Sequence, residues 1–575
     1  MLLLVLYLAI FAWLPRHVFW NPDEGAKYFI LNTIGWDGGL TYTLPYRGAR
    51  LDPQMRFYPR RSSSARTNLY PSLQKDGTVG LRMPVWFPGL TVLPFRWLGL
   101  PGLYLIPLLS GLLTSLVAGW LTYGLAPILA PVAILVVGLA TPLCFYSFCF
   151  WEHALATALG TTAVALLARS AGRPGATVVL IMLLSTLMLL LRLEMLAFVV
   201  ALLVAWAVVA RRRASDDCDG GEFRAASRPL VVWALFALGL AAVCALPLWL
   251  PLLPERHYQR VQSIPEVLEL SVPKLKYLPS SVVGLWINLI HGEAPALPET
   301  WAWTGLIGVF LCFGAAFVGR ARLQAWLIVS GLVLVLAVSS RLLLWTYPYR
   351  ALDGFFPVAP ALCVFAFGLV DGWQRRDYAL LTLATVAAAY LAVATLAVFA
   401  FYVDSAGGYD PALEWGPRFL LTLYPLATVV TLVAMHRYWV SARTLWLKRV
   451  VVGMVMFGIC LGLQFEARGL IMLRGSRVLL ASWESALPAT QPVVTDIWWL
   501  PSALAPFFVS HEMYYTERVD DLREWIALAA RNGIDSFTFA GHTSPEIAAL
   551  GAVDRQAQDN VAGLQLDTFR IRHSQ

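Results

Sequence analysis

The chain has 575 residues, of which 58% are apolar and only 14% charged, with a formal net charge of +8 and a mean hydropathy of +0.65. That much apolar surface exceeds what a water-soluble core can hide, which excludes an ordinary soluble protein and points to a polytopic membrane protein. The basic residues are scattered through loops, so the positive charge reports topology and not nucleic-acid affinity.

Hydrophobic windows predict about thirteen spans, at 1–14, 102–125, 127–147, 153–169, 174–191, 195–210, 229–250, 303–319, 325–345, 354–371, 378–402, 418–435 and 449–465. Runs such as "GLYLIPLLSGLLTSLVAGWLTYGLAPILAPVAILVVGLATPL" (102–143) are continuous and not alternating. A bilayer core takes roughly 20 such residues per helix, so the spans are α-helical and a β-barrel is excluded. The opening "MLLLVLYLAIFAWLP" lacks a basic flank and a small-residue cleavage site and reads as a retained first span. Seven cysteines, nearly all in or beside hydrophobic segments, imply neither a disulfide framework nor a Cys metal site.

With the N-terminus in the cytoplasm, fifteen Arg and Lys residues fall in inner short connections, among them Arg211, Arg212, Arg213, Arg375, Arg376 and Arg437. Four fall in outer ones: Arg192, Arg341, Arg350 and Arg418. This bias predicts a multi-pass protein of the cytoplasmic membrane, N-terminus inside and C-terminus outside. Three long polar segments then share the outer face, 15–101, 252–302 and 466–575. In the first, "MPVWFPGLTVLPFRWLGLPG" (83–102) is too rich in Pro to span and is expected along the membrane surface. The last reads as a small extracytoplasmic α/β domain, with strands in "PVVTDIWWL" (492–500) and "SFTFAG" (536–541) and an amphipathic helix in "RVDDLREWIALAARNGI" (518–534). The expected division is therefore a transmembrane module, 1–465, and a C-terminal domain, 466–575.

Charge is placed selectively on the outer side. "HVFWNPDEGAKYFI" (17–30) sets Asp23 and Glu24 after an Asn-Pro turn, with Lys27 a helical turn on. A carboxylate there can be a plain helix cap, or a general base whose pKa is tuned by the interface. "FCFWEHALATAL" (148–159) sets Glu152 and His153 at a tight turn, and "LLLRLEMLAF" (189–198) sets Arg192 and Glu194 between two apolar segments. Boundary charges are costly and count as functional candidates, with turn punctuation or an internal Arg/Glu pair as the plainer reading. "YDPALEWGPRFLLTLYP" (409–425) adds Glu414 and Arg418, whose guanidinium suits a phosphate. In "WTYPYRALDG" (345–354), Tyr347, Tyr349, Arg350 and Asp353 read as interfacial anchors. Acids to deprotonate an acceptor and arginines to hold an anionic leaving group, gathered at one depth, suit transfer from a lipid-linked phosphate.

These residues resemble the GT-C superfamily of polytopic glycosyltransferases, in particular the bacterial branch similar to protein O-mannosyltransferases and aminoarabinose transferases. The likeness rests on "NPDEGAKY" (21–28), "GTVGLRMPVWFPGLTVLPFRWLGLPG" (77–102), "TPLCFYSFCFWEHALA" (141–156), "LLRLEML" (190–196) and "WGPRFLLTLYP" (415–425). It implies a GT-C-like helical fold, a cavity for a polyprenyl-phosphate sugar donor, and a lipid, glycan or protein acceptor. It also implies that Asp23 is the catalytic carboxylate with Glu24 beside it, Glu152 the second acid, and Arg192 and Arg418 donor-phosphate contacts. Lys27, His153 and Glu194 join these as candidate substrate-binding residues. A divalent cation assists some relatives and not others. Where many relatives carry His-Pro-Pro or Tyr-Pro-Pro-Gly before the second span, this chain reads "WFPGL" (86–90).

Two rival readings remain. A transporter or flippase would place its charges near the bilayer midplane and often show inverted repeats, and neither is visible. An assembly protein would use the 466–575 segment to bind a partner, with Asp496, His511 and His542 in local structural roles.

Overall fold

The computed structural model describes residues 1–34, 46–58, 72–73, 79–80, 85–169, 174–216, 278–287, 299–345, 354–402, 415, 417–441, 444–541, 547, 550 and 552–572. The span expected at 229–250, most of the segment 252–302, the anchors at 347–353, Glu414 and His542 lie outside the described residues. The described chain forms two compact units. One comprises Met1–Tyr7 and the described residues from Ile106 to Leu470; the other comprises those from Leu8 to Leu105 and from Ile471 onward.

The first unit is helical. Helices Leu100–Leu125, Ala321–Leu344, Tyr378–Leu396 and Leu445–Ala486 are long and apolar enough to cross a membrane, and Leu2–Trp13, Pro127–Leu139, Thr177–Leu191 and Thr300–Ala315 are shorter apolar helices. The chain is a multi-pass membrane protein.

Proline breaks two of the expected spans, because it removes a helical N–H and clashes with the preceding turn. The stretch 127–147 divides into Pro127–Leu129, Ala130–Leu139 and Leu143–Tyr146. The stretch 354–371 divides into Phe355–Val358, Pro360–Val364 and a helix from Ala366 to Gln374. Conversely, residues 466–486, read from the sequence as the start of a polar segment, continue a 42-residue helix, Leu445–Ala486.

Inside an apolar bundle every polar group must be satisfied by the protein. Thr114, Ser115, Thr122 and Thr141 donate to the carbonyls four residues back at 2.7–2.9 Å. Tyr7 donates to the Gly138 carbonyl at 2.9 Å. Small residues let helix backbones touch: a Cβ on Gly308 would lie 2.8 Å from the Gly331 carbonyl oxygen, and one on Gly331 would lie 2.6 Å from that of Gly308. At one end of the unit, Arg437 binds Asp371 at 2.7 Å and also Asp377, and Arg212 and Arg376 approach Asp216 at 3.6 and 3.5 Å. These arginines come from connections that the charge bias assigns to a single side.

The second unit is built on a five-stranded sheet. After a short ribbon of β1 (Ser72–Leu73) and β2 (Val79–Gly80) come β3 (Val493–Thr495), β4 (Met513–Tyr515), β5 (Ser536–Gly541), β6 (Val553–Val561) and β7 (Leu564–Ile571). The sheet order is β4-β3-β5-β7-β6, with β3 parallel to both neighbours and β7 antiparallel to β5 and β6. Helix Val519–Arg531 joins β4 to β5 and buries Leu522, Trp525, Ile526 and Ala529, one face at helical spacing. Ala562 and Gly563, both at positive φ (52° and 88°), close the β6–β7 hairpin, as a two-residue hairpin turn requires.

The segment 46–58 completes this unit. The buried Asp52 carboxylate accepts from the Arg56 and Phe57 amides at 2.8 and 2.7 Å and from the Tyr46 hydroxyl at 2.9 Å. The Phe57 carbonyl then accepts from Tyr515 at 2.8 Å, covering the β4 edge that would otherwise stay open. Tyr58 and Phe508 pack edge to face at 5.5 Å. Helix Trp86–Leu98 forms in spite of Pro94 and exposes Trp86, Leu90, Leu93 and Trp97, an apolar stripe of the kind that lies on a membrane surface.

Two outcomes follow. Replacing Asp52 by Ala strands buried donors and should destabilise the fold by about 3 kcal/mol, read as a lowered midpoint of thermal unfolding. Burial raises the Tyr46, Tyr58 and Tyr514 hydroxyls above their ordinary value of 10.0. The unfolded chain therefore loses phenolic protons that the folded unit keeps, so stability should fall progressively as pH rises above about 10. Phenylalanine at position 58, which has no proton to lose, should flatten that decline.

Candidate functional site

The sequence candidates fall in both units. In the second unit, Asn21 caps helix Pro22–Thr33: its Oδ1 accepts from the Asp23 amide at 2.6 Å, and Pro22 fills the first helical position, where a missing N–H costs nothing. Asp23 and Glu24 thus sit in the first turn, where the helix dipole favours carboxylates.

The two neighbours have different surroundings. Glu24 is fully buried, with Oε1 3.5 Å from Nη2 of Arg477 and Oε2 accepting from the Trp20 amide at 3.2 Å. Arg477, only 1% exposed, also donates to the Pro15 carbonyl at 3.3 Å and lies 4.7 Å over the Tyr104 ring. Asp23 is only partly buried. Lys27 is buried on the same helix. Gly25 is required here, since a Cβ would fall 1.7 Å from the Ser502 carbonyl oxygen.

In the first unit the structure gathers the other five candidates. Arg192 follows the C-terminus of helix Pro174–Leu191, the end that favours a cation. Glu152 immediately precedes helix His153–Arg169, the end that favours an anion. Nη1 of Arg192 approaches Glu152 Oε1 at 3.4 Å and meets His153 Nε2, while Nη2 meets Glu194 Oε1. Arg192 is 7% exposed and His153 4%. His153 Nδ1 lies 3.9 Å from Glu152 Oε1.

Arg418 opens the short turn Arg418–Leu420 and lies 5.2 Å over the Trp151 ring and 5.4 Å from the Phe419 ring. Arg192 lies 5.2 Å from that same Phe419 ring. The Tyr390 hydroxyl donates to the Phe419 carbonyl and fixes this turn. Three turns far apart in the chain thus contribute two guanidinium groups, two carboxylates and a histidine.

Glu152 and Glu194 already share the Arg192 guanidinium, and among the described residues no group of three His, Cys, Asp or Glu stands together as a metal-ligand set. The described residues therefore do not fit a divalent cation at this cluster.

Sequence reading missed Arg477, Trp151, Phe419 and Trp415. Arg477 sits in "ARGLIMLRGSRVLL" (467–480) among other arginines, and nothing local distinguishes the buried one. The aromatic residues look like any others in a chain that is 13% aromatic.

No protein-family model matches this chain, and no curated protein matches it. Among solved structures it is similar to ArnT from Cupriavidus metallidurans in the apo state, at 12% identity over 100% of this chain and 97% of that one, with a TM-score of 0.47. It is similar to ArnT bound to undecaprenyl phosphate at 12% identity over 99% and 97%, with a TM-score of 0.44. It is similar to the archaeal oligosaccharyltransferase AglB from Archaeoglobus fulgidus, in complex with an inhibitory peptide and a dolichol-phosphate. That likeness has 12% identity over 93% of this chain and 69% of that one, with a TM-score of 0.40.

Proposed function

We propose that the chain is a membrane glycosyltransferase of the GT-C type, moving a sugar from a polyprenyl-phosphate donor to an acceptor hydroxyl on the extracytoplasmic face. The observation that carries this reading is the buried Arg192 cluster: a guanidinium held by Glu152, His153 and Glu194, with Arg418 beside it. Charges are costly at such positions and are kept where chemistry uses them. Two guanidinium groups offer the forked donors that suit a phosphate.

In this reading a carboxylate, the role that the family resemblance gives to Asp23, takes the proton of the acceptor hydroxyl, whose oxygen attacks the anomeric carbon. The bond from that carbon to the donor phosphate oxygen breaks, and Arg192 and Arg418 stabilise the charge left on the lipid phosphate. Glu152 and Glu194 orient Arg192, His153 lies against it, and Lys27 contributes to substrate binding. Glu24, locked to Arg477, fixes the turn that presents Asp23. About thirteen spans, a cytoplasmic N-terminus in the inner membrane and an outer α/β domain built on β3 to β7 complete the reading. The envelope acceptor is a lipid, glycan or protein.

The test separates the two neighbouring acids. In purified, lipid-reconstituted protein supplied with polyprenyl-phosphate sugars, Asp23→Asn should lower transfer by about 10²–10⁴-fold and leave the melting temperature near wild type. Glu24→Ala should instead destabilise by about 3–5 kcal/mol, because it leaves Arg477 buried without its partner. A folded Asp23→Asn protein with full transfer activity would remove Asp23 from the mechanism. For topology, a cysteine introduced at Gln558 should react with a membrane-impermeant maleimide added outside intact spheroplasts; labelling only after lysis would reverse the orientation.

A further inference from the structure

Glu466 is a buried carboxylate that the reaction above does not use. It lies on helix Leu445–Ala486 and is 1% exposed. Among the described residues no cation pairs with it, and the Phe145 backbone also lies within hydrogen-bonding reach of its carboxyl group. Its Oε1 accepts from Trp415 Nε1 at 3.4 Å.

Trp415 is clamped from several sides. Its ring stacks on Phe145 at 5.3 Å. One turn beyond Glu466, Gly469 leaves room for the indole, since a Cβ there would lie 2.4 Å from Trp415 Cε2. The Trp415 amide donates to the Tyr146 hydroxyl at 3.2 Å. The Tyr146 ring in turn stacks on Trp151 at 5.6 Å and on His153 at 5.3 Å. His153 Nε2 meets Arg192, and Arg418 lies over Trp151.

We propose that Glu466 is a positioning residue: by holding the Trp415 indole it sets the Tyr146 ring, and through it the His153 and Trp151 stack on which the two guanidinium groups rest. An indole N–H asks only for a neutral acceptor, which a serine or glutamine would supply at far lower desolvation cost. Glu466 supplies that acceptor through Oε1. Among the described residues Glu466 forms no ion pair with Arg192 or Arg418, so its effect on them runs through this relay. Its effect on sugar transfer rests on the function proposed above; its effect on His153 does not.

The experiment uses the full chain in nanodiscs and reads two signals. The first is the ring ¹³C resonance of His153, one of eight histidines, assigned by its loss in His153→Gln. Glu466→Leu and Trp415→Phe should displace it in the same direction, Glu466→Asp should displace it likewise by withdrawing the acceptor, and Glu466→Gln, which keeps an acceptor, should leave it in place. The second is transfer from a polyprenyl-phosphate sugar. Glu466→Leu and Trp415→Phe should each lower transfer by about ten- to a hundredfold through misplacement. Their double variant should be no worse than either alone, because both cut one relay. If Glu466→Leu does not fold, Glu466→Asp carries the same comparison. A His153 resonance unmoved by Glu466→Asp, or losses that multiply in the double variant, would overturn the positioning role. A wild-type protein without transfer would sink the enzyme reading while the His153 signal still decides this one.

Discussion

A guanidinium placed where water does not reach must be neutralised by its own chain, and the first unit is organised around that requirement at Arg192. Removing one partner of such a group leaves an uncompensated charge, at a cost of about 3–5 kcal/mol. The unit meets the demand with helix ends. Arg192 sits at a C-terminus, Glu152 and His153 at an N-terminus, and Glu194 in the short turn Leu193–Met195 that follows Arg192. Dipoles, carboxylates and imidazole all act on one cation, so the cluster is held by direction as well as by charge.

The same constraint divides polar groups along the bundle. Helix Leu196–Asp216 starts beside this cluster and ends in the network of Asp216, Arg212 and Arg376. Its 21 residues span about 31 Å. Between those ends hydroxyls such as that of Ser339 bond back to their own helices, and glycines such as Gly308 and Gly331 bring backbones into contact. Charge gathers at the ends because the middle offers no solvent to share its desolvation cost.

In the second unit, burial separates two adjacent acids. Glu24 faces inward to Arg477 and the Trp20 amide, and Asp23 remains half-buried beside the capping Asn21. Two carboxylates one residue apart point in different directions from a helix, so their environments, and with them their chemistry, diverge. Asp52 shows the same principle in a loop, where one buried carboxylate satisfies two amides and a hydroxyl and thereby orders residues 46–58 against β4.

The amino-acid sequence by itself determined what depends on local chemistry. Continuous apolar runs required helices, with 174–191 and 378–402 matching helices Pro174–Leu191 and Tyr378–Tyr402 end to end. The Asn-Pro signal set the start of helix Pro22–Thr33, and "SFTFAG" (536–541) read as the strand that β5 is. Strand β6, "VDRQAQDNV", escaped notice because it is polar and exposed and is ordered only by pairing with β7. Charged residues at helix ends were visible as candidates, because charge is rare in such a chain. Which of them meet was decided by the tertiary structure alone. The contacts of Arg192 with Glu152, of Glu24 with Arg477 and of Glu466 with Trp415 join residues separated by 40, 453 and 51 positions. Pairing at such range is fixed by helix packing and burial, which no local pattern records.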